Sequence, residues 1–212
     1  MILSAKRAQG FAVIISSPSG VGKTTVTKQI LKKIKKSKLS VSWTTRTPRL
    51  NEKNKKDYIF TNKKRFYKNV KNKKFLEYAK VFNNYYGTPK KEIYDNFKKG
   101  KIIILDIDWQ GSKKVKKIIA ENCISIFLLP PSFATLKQRL VNRHKIDSRL
   151  AKKRFSYAKR DLKHWKDYDY VIINKKLSTC VESIVKIINY RIFVRDLEII
   201  AGKQIKNILK IK

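Results

Sequence analysis

The chain has 212 residues, which is enough for one large domain with a substantial apolar core, or for a core domain that carries one insertion. Its formal net charge is +37, because 52 Lys and Arg residues outnumber 15 Asp and Glu residues. Apolar runs such as residues 102–105 are far shorter than the roughly 20 residues of a membrane-spanning helix, and the N-terminus lacks the apolar run of a signal peptide, so we expect a cytoplasmic protein.

A strand, a glycine-containing loop and a helix are predicted at the start of the chain. Residues 11–15 are an apolar run, and apolar residues recur at helical spacing from the end of the loop to about Lys36. Glycines at 20 and 22 permit backbone conformations that let consecutive N–H groups converge on an anion, which the helix dipole attracts further. The predicted phosphate-binding loop consists of Ser17, Pro18, Ser19, Gly20, Val21, Gly22, Lys23 and Thr24.

Two side chains of this loop suit a nucleoside triphosphate. The ammonium group of Lys23 would lie against the outer phosphates, and the hydroxyl of Thr24 would be a ligand of the accompanying Mg²⁺. The usual pattern begins with glycine, and Ser17 occupies that position here.

The region from about residue 42 to residue 88 differs from the rest of the chain, because short extended segments replace the alternation of strands and helices. The predicted extended segments are residues 39–45, 58–61, 75–82 and 85–87. Residues 46–57 are predicted to be a polar loop, Asn62 to cap a helix that ends near Val70, and Pro89 to be the first residue of another helix. We interpret the region as an inserted, mostly β subdomain.

From residue 101 onwards, buried strands alternate with helices. The predicted strands are residues 101–107, 123–129 and 170–173, and the predicted helices are residues 109–119, 132–143, 147–165 and 178–194. This alternation predicts a three-layer α/β/α fold with a parallel central sheet and right-handed crossovers. The cysteines, Cys123 and Cys180, are predicted to be reduced core residues. The tail from Asp196 could form a final helix.

Carboxylates follow the strand at residues 101–107. Asp106 and Asp108 lie at the carboxyl end of this strand, where parallel sheets place their ligands, and strand alternation puts both on one side. One of the two is expected to orient magnesium through water, and the sequence does not say which.

The phosphate-binding loop alone leaves an ATPase, a GTPase and a kinase open, but the predicted insertion contains side chains that suit a second nucleotide. Arg46 and Arg49 flank Pro48 and offer two planar forks to a phosphate dianion, to which Tyr58 and Tyr86 can add hydroxyl donors. An ionised Glu77 matches the two adjacent donors on the edge of guanine, whereas adenine presents an acceptor there. The hydroxyls of Ser42 and Thr88 could donate to guanine O6.

The order and spacing of several motifs resemble those of guanylate kinases, the enzymes that transfer phosphate from ATP to GMP. The motifs are residues 42–49 (SWTTRTPR), 57–58 (DY), 75–79 (FLEYA), 84–88 (NYYGT), 105–111 (LDIDWQG), 130–132 (PPS), and Arg139-Leu140 with Arg143. The resemblance extends from about residue 10 to residue 192.

The resemblance implies an architecture of core (about 10–41 and 89–195), GMP-binding insertion (about 42–88), lid (about 137–160) and C-terminal tail (196–212). It implies an arginine lid that closes over ATP and supplies positive charge to the transferred phosphoryl group. The implied catalytic residues are Lys23, Arg46, Arg139, Arg143, Arg154, Asp106 and Asp108. The implied GMP-binding residues are Ser42, Arg46, Arg49, Tyr58, Glu77, Tyr86, Gly87, Thr88 and Asp108. Asn174 joins the phosphate-binding loop in the implied ATP site.

Two other functions account for part of the sequence. Guanylate-kinase-like domains that bind proteins without catalysis typically lack an intact phosphate-binding loop, and this chain retains Gly22-Lys23-Thr24. A basic protein with a phosphate-binding loop that acts on nucleic acid would explain the charge but not the combination of Arg46, Glu77 and Tyr86. Lysines are spread from Lys32 to Lys212 without a clustered arm, so we interpret them as solvated residues and expect nucleic-acid binding to be weak and non-specific at most. We expect no membrane partner, and the oligomeric state stays open.

Overall fold

A computed structural model describes residues 10–50, 52–143 and 148–209. Within these ranges it describes the side chains of all residues except 143, 148–152, 206, 207 and 209. The strands are β1 (Phe11–Ser16), β2 (Ser37–Leu39), β3 (Trp43–Thr44), β4 (Ile59–Phe60), β5 (Phe75–Val81), β6 (Asn84–Pro89), β7 (Ile102–Asp106), β8 (Cys123–Leu129) and β9 (Tyr170–Ile173). The helices are α1 (Lys23–Lys33), α2 (Lys63–Lys71), α3 (Lys90–Lys98), α4 (Trp109–Ile119), α5 (Phe133–Arg143), α6 (Ser148–Asp161) and α7 (Leu177–Leu209). Short 3₁₀ segments cover Ala120–Asn122 and Leu162–Asp167.

The central sheet has five parallel strands in the order β2-β7-β1-β8-β9, which confirms the predicted fold class. β1 lies in the middle, and all of its residues are buried. A strand that is covered on both faces needs a continuous apolar run, which is what residues 11–15 provide.

Helices cover both faces of this sheet. Val13 and Ile15 point into the cluster that packs against α1, α5 and α7, whereas Ala12 and Ile14 point into the cluster on the side of α3 and α4. The sheet and the helices on its two sides form the three layers, with one apolar cluster at each interface. The carboxyl ends of β1 and β7 lead into the loops that carry the site residues.

The short strands between residues 42 and 88 form a second sheet in the order β4-β3-β6-β5. β6 pairs antiparallel with β3 and with β5, while β3 and β4 pair in parallel. α2 covers one face of this sheet through Phe66, whose ring centroid lies 4.9 Å from that of Phe75 and 5.6 Å from that of Tyr85. Glu77 and Tyr86 lie on the cleft side.

The extended segment predicted at residues 39–45 is divided between the two sheets. β2 pairs with β7, and the amide of Ser40 still donates to Ile104 O at 3.0 Å, but from Ser42 onwards the chain pairs with β4. An alternating strand pattern can continue where the chain passes from one sheet to the other, because the alternation of side chains does not depend on which strand is the partner.

Other boundaries also differ from the sequence-based prediction. α1 ends at Lys33 instead of Lys36, since β2 begins at Ser37. Pro89 is the last residue of β6 and the N-cap of α3, because its ψ of 118° is extended. The helix predicted at residues 147–165 is helical from Ser148 to Asp161 and then 3₁₀, and residue 147 lies outside the described residues.

The helix predicted at residues 178–194 continues through the described part of the tail, so that α7 is a single 33-residue helix that ends at Leu209. Gly202 does not interrupt it, and a Cβ at this position would meet no described atom within 4 Å beyond its chain neighbours and the adjacent backbone of its own helix. No helix among the described residues combines the length and the apolar character that a membrane span requires. Both cysteines are free thiols; Cys180 is buried and Cys123 half-buried, and burial raises the pKa of each to about 11.

Candidate active site

A cleft of about 770 Å³ lies where the carboxyl edge of the central sheet faces the second sheet and helices α5 and α6. Most of the residues selected from the sequence line it, although they come from segments far apart in the chain. The lining includes Ser17, Pro18, Ser19, Gly20, Gly22, Lys23, Thr24, Ser42, Arg46, Arg49, Tyr58, Glu77, Tyr86, Asp106, Asp108, Arg139 and Arg154.

The loop between β1 and α1 has the backbone that a phosphate site requires. Gly20 and Gly22 have φ values of 92° and 103°, which residues with a Cβ rarely adopt. Gly22 is the N-cap of α1, so the orphan N–H groups of the first helical turn open onto the cleft.

Val21 is a buried residue of this loop, and its carbonyl anchors the loop to the protein. Val21 O accepts hydrogen bonds from Asn174 Nδ2 at 2.8 Å and from Arg139 Nη1 at 3.0 Å. Asn174 is itself buried, and its backbone N–H donates to Leu129 O at 2.8 Å. Asn174, predicted to lie beside ATP, therefore lies beneath the phosphate-binding loop and holds it.

Lys23 extends from α1 towards the end of β7. Its Nζ lies 2.8 Å from Asp106 Oδ1 and donates to Ile107 O at 3.0 Å. Ser16 Oγ donates to the same carbonyl at 2.8 Å. The ion pair ties the first helix to the sheet edge inside the cleft.

Asp106 and Asp108 both line the cleft, as strand alternation predicted, but their partners differ. Asp108 is the N-cap of α4: its Oδ1 accepts from Gly111 N at 2.9 Å, and its Oδ2 accepts from Gln110 Nε2 at 3.2 Å. Its orientation is therefore fixed by the helix, whereas that of Asp106 depends on Lys23.

Arg46 and Arg49 meet at a carboxylate that the sequence analysis did not select. Glu52 Oε1 lies 2.9 Å from Arg46 Nη2 and 3.7 Å from Arg49 Nη1, and Glu52 Oε2 accepts from Arg49 N at 2.8 Å. Glu52 lines the cleft and occupies the kind of position that an anionic ligand of these arginines would take. Its sequence signal was an acid three residues after Arg49 in an otherwise basic loop.

Two tyrosines border the same part of the cleft. The ring centroids of Tyr58 and Tyr86 are 6.0 Å apart in an edge-to-face arrangement, and the Arg46 guanidinium lies 5.3 Å from the Tyr58 centroid. Burial raises the pKa of Tyr58 well above its usual value, so its hydroxyl remains a neutral donor.

Glu77 is buried in the second sheet and points towards the cleft. Its Oε1 accepts from Thr88 Oγ1 at 2.6 Å, while its Oε2 is buried without a hydrogen-bond partner among the described residues. Burial is the main cause that raises its pKa to about 7, and the charge of Asp108 adds to the effect. A Cβ at Gly111 would lie 3.0 Å from Oε2, so α4 approaches this carboxyl closely.

Thr88 and Gly87, both selected from the sequence, lie next to Glu77 or within the second sheet and not among the residues that line the cleft. The Thr88 hydroxyl, expected to donate to guanine O6, donates to Glu77 and so orients that carboxyl. Gly87 pairs with Trp43 in the second sheet, and a Cβ there would lie 3.0 Å from the Phe75 ring, which makes Gly87 a packing position.

The lid segment contributes from α5 and α6. Arg139 lines the cleft while it donates to Val21 O, and Arg154 lines it with its guanidinium 5.6 Å from the Phe82 centroid. The Arg143 side chain and residue 144 lie outside the described part of the chain.

Asp161, at the end of α6, is a second acid in the cleft that the sequence analysis did not select. Burial and the nearby charge of Asp108 raise its pKa to about 6. In the sequence it follows Lys159 and Arg160 in a helical pattern, so nothing local distinguished it from a surface acid.

Comparison with known proteins places this geometry in a family. The model of the guanylate kinase family matches residues 9–191. The chain is 44% identical over 180 residues to the guanylate kinase of Rickettsia prowazekii, covering 85% of this chain and 91% of that one. It is 41% identical over 181 residues to the guanylate kinase of Clostridioides difficile, covering 85% and 88%. The crystal structure of guanylate kinase from Anaplasma phagocytophilum superposes with a TM-score of 0.74 at 34% identity and covers 87% of each chain. With a family match over most of its length and relatives of this similarity, the chain belongs to the guanylate kinase family.

Proposed function

We propose that this chain transfers the γ-phosphate of ATP to GMP and releases ADP and GDP. The observation that carries the proposal is the buried Glu77 carboxyl, with Oε2 left without a partner among the described residues, in the same cleft as the phosphate-binding loop and the Arg46–Arg49 pair. An enzyme that transfers phosphate from a nucleoside triphosphate to a guanine nucleotide needs these groups in one cleft. The sequence-based expectation of a cytoplasmic location belongs to the same proposal.

The GMP phosphate binds between Arg46 and Arg49 and receives hydroxyl donors from Tyr58 and Tyr86. Before GMP arrives, Glu52 holds the two guanidinium groups together through contacts of 2.9 and 3.7 Å. A phosphate dianion carries more charge than this carboxylate and can use more of the guanidinium donors.

Glu77 reads the guanine base. In its ionised form it accepts from guanine N1–H and the exocyclic amine, whereas adenine would leave the buried Oε2 facing an acceptor. Thr88 fixes the carboxyl through Oε1, and Ser42, which lines the cleft, donates to guanine O6. Asp108 contributes from the start of α4.

The triphosphate of ATP binds in the loop from Ser17 to Thr24, which Asn174 and Arg139 hold through Val21 O. Lys23 exchanges its contact with Asp106 for the outer phosphates. Lys23 Nζ needs to move only a short distance for this exchange, because it already lies at the sheet edge beside the loop.

Mg²⁺ fits this set of side chains. The Thr24 hydroxyl and the Asp106 carboxylate offer oxygen atoms in the cleft, and Asp106 is better placed than Asp108, whose oxygens are engaged by α4. The described residues contain no group of three or more His, Cys, Asp or Glu that could hold a metal by itself, which suits an ion bound by one or two protein oxygens together with phosphates. When bound, Mg²⁺ neutralises charge on the transferred phosphoryl group.

Arginines of the lid supply the remaining positive charge. Phosphoryl transfer depends on alignment and on charge neutralisation more than on covalent help from the protein. Arg139 and Arg154 already line the cleft, and Arg143 follows from the resemblance. In this scheme the core is about residues 10–41 and 89–195, the insertion 42–88, the lid 137–160 and the tail 196–212, and their closure excludes water that would otherwise accept the phosphate.

The test is ADP formation with ATP and Mg²⁺ in the presence of GMP, AMP, CMP or UMP. We expect turnover with GMP only, a loss of at least about a hundredfold in kcat for Lys23→Ala, and a large rise in KM for GMP in Glu77→Gln. Lys32→Ala, on the last turn of the same helix as Lys23, is the matched control and should leave turnover unchanged.

Absence of turnover with every monophosphate, from folded wild-type protein, would favour the alternative of a protein-binding domain without catalysis. Turnover with GMP that survives Glu77→Gln unchanged would instead retain the enzyme and remove the base-reading role of Glu77.

A further inference from the structure

Five large apolar side chains project into solvent from one face of α7. Their exposed fractions are 62% for Tyr190, 59% for Phe193, 50% for Leu197, 63% for Ile200 and 68% for Ile208. The spacing keeps them on one side of the helix, and we call them the outward stripe. Contiguous apolar surface of this kind on a soluble protein marks an interaction site more often than chance exposure.

The opposite side of the same helix is attached to the protein. Arg195 is almost fully buried, donates from Nη2 to Asn122 Oδ1 at 3.1 Å, and lies 5.8 Å from the Phe11 ring centroid. Ile188 is buried in the core, and Arg191 Nη2 donates to Glu121 O at 3.1 Å. The helix is therefore held by one face while the outward stripe is presented by the other.

The spacing of the stripe indicates the shape of its partner. Tyr190, Phe193, Leu197 and Ile200 alternate at intervals of three and four residues, which is the seam of a two-stranded coiled coil. Such a seam fits another helix, and Ile205, which is 46% exposed, and Ile208 lie at its edge.

The charges beside the stripe point the same way. One flank carries an acid and a base, Asp196 and Lys203, whereas Arg191 and Glu198 lie 3.6 Å apart nearer the attached side of the helix. The described charges beside the stripe therefore balance, although the chain as a whole has a net charge of +37. A surface for anionic lipid would carry excess positive charge at its margins.

We infer that α7 pairs antiparallel with α7 of a second copy of this chain through the outward stripe. In the antiparallel register that sets Leu197 against Ile200 of the second copy, the coiled-coil geometry brings Asp196 beside Lys203 of the second copy. Two-fold symmetry repeats this ion pair. A parallel pair would place each of these residues level with its own counterpart and would form neither contact.

In this register Phe193 lies opposite Gln204 of the second copy, and Tyr190 lies near Ile208 of the second copy. These contacts add to the interface at both of its ends. None of the stripe residues lines the cleft, so this inference is independent of the proposed function. The stripe also lies mostly beyond residue 191, where the match to the family ends.

Sedimentation velocity of the 212-residue chain over a dilution series from high to low micromolar tests the inference. We expect a dimer that dissociates on dilution. Ile200→Glu should weaken dimerisation at least about a hundredfold, because the change enters the centre of the interface twice. Ile118→Glu, at a 50% exposed position on α4, is the matched control and should leave the dimer intact.

Charge exchange tests the orientation without altering the apolar seam. Asp196→Lys alone should weaken the dimer about tenfold, since two attractive pairs become repulsive. Adding Lys203→Asp should restore it, because the pairs re-form with exchanged signs. Circular dichroism and GMP-dependent turnover, both expected to be unchanged, verify that the variants are folded.

Several outcomes would overturn the inference. A monomer at every concentration excludes the pairing, and a dimer that tolerates Ile200→Glu places the interface elsewhere. Failure of the double exchange to rescue excludes the antiparallel register. A monomer that co-sediments with phosphatidylserine vesicles, but not after Ile200→Glu, would assign the stripe to an anionic bilayer instead.

Discussion

Glu77 shows how folding can place a single side chain between two protonation states. Burial raises the pKa of its carboxyl from 4.5 to about 7, so the folded state holds this proton more tightly than the unfolded chain. Between these values the folded state binds more protons, and the free energy of unfolding therefore falls as the pH rises. The cost is absent below about pH 4.5 and complete above about pH 7, where it amounts to roughly 3 kcal/mol.

This linkage predicts that Glu77→Gln stabilises the nucleotide-free protein much more at pH 8 than at pH 5. The amide cannot ionise, and its carbonyl oxygen can still accept from Thr88. Urea unfolding at both pH values measures the difference, which should approach about 3 kcal/mol at pH 8. An equal difference at both pH values would show that Glu77 does not titrate in this window.

The same residue should make GMP binding pH-dependent. KM for GMP should fall as the pH rises from 6 to 8, because the ionised carboxylate is the form that accepts from guanine. The phosphate of GMP also titrates near pH 6. Glu77→Gln separates the two effects, since the variant retains the phosphate titration and loses that of the base site.

At the scale of elements, α2 depends on its cap more than most helices do. Its first turn contains Lys63, Lys64 and Arg65 and no acidic residue, so the helix dipole meets positive charge at the wrong end. Asn62 compensates by accepting from Arg65 N at 2.8 Å, as the sequence predicted. The cap is therefore the main favourable term at this terminus.

We expect Asn62→Ala to lower the free energy of unfolding by about 1 kcal/mol, and Asn62→Asp to match or exceed the wild type, because a carboxylate also opposes the local positive charge. Urea unfolding at low salt measures both changes. Asn72→Ala, at the other end of α2, is the control, since that position uses its backbone N–H, which alanine keeps. Equal losses for Asn62→Ala and Asn72→Ala would contradict the capping argument.

At the scale of the whole molecule, the dominant electrostatic term is repulsion among lysines and arginines. The 15 acids are too few to pair with 52 basic residues, and several are already engaged, as in Lys38–Glu92 at 2.8 Å and Lys116–Asp169 at 2.9 Å. Net charge of this size destabilises the compact state, and salt screens it over about 10 Å at 0.1 M.

The Tm should therefore rise by several degrees, on the order of 1 kcal/mol, between about 0.02 and 0.3 M NaCl. Choline chloride at equal ionic strength should give the same rise, because screening does not depend on the identity of the cation. Differential scanning calorimetry of the nucleotide-free protein measures it. A Tm that falls with salt would mean that favourable ion pairs outweigh the repulsion.

The sequence by itself determined the elements whose conformation and burial depend on residues close to them in the chain. The bounds of β8 and β9 follow from predominantly apolar runs, those of α4 follow from 3.6-residue periodicity, and the phosphate-binding loop follows from glycines between a strand and a helix. These features are fixed by backbone conformation and burial, which nearby residues specify.

Only the tertiary structure decided which polar groups meet. It divided the predicted segment 39–45 between two sheets, placed Asn174 beneath Val21, directed Thr88 to Glu77, and brought Glu52 between two arginines. A hydrogen bond between residues 153 positions apart leaves no periodic signal, because it depends on where both segments lie after the sheets have formed. The outward stripe of α7 is likewise readable as apolar spacing, but its exposure follows from which face of the helix the body of the protein covers.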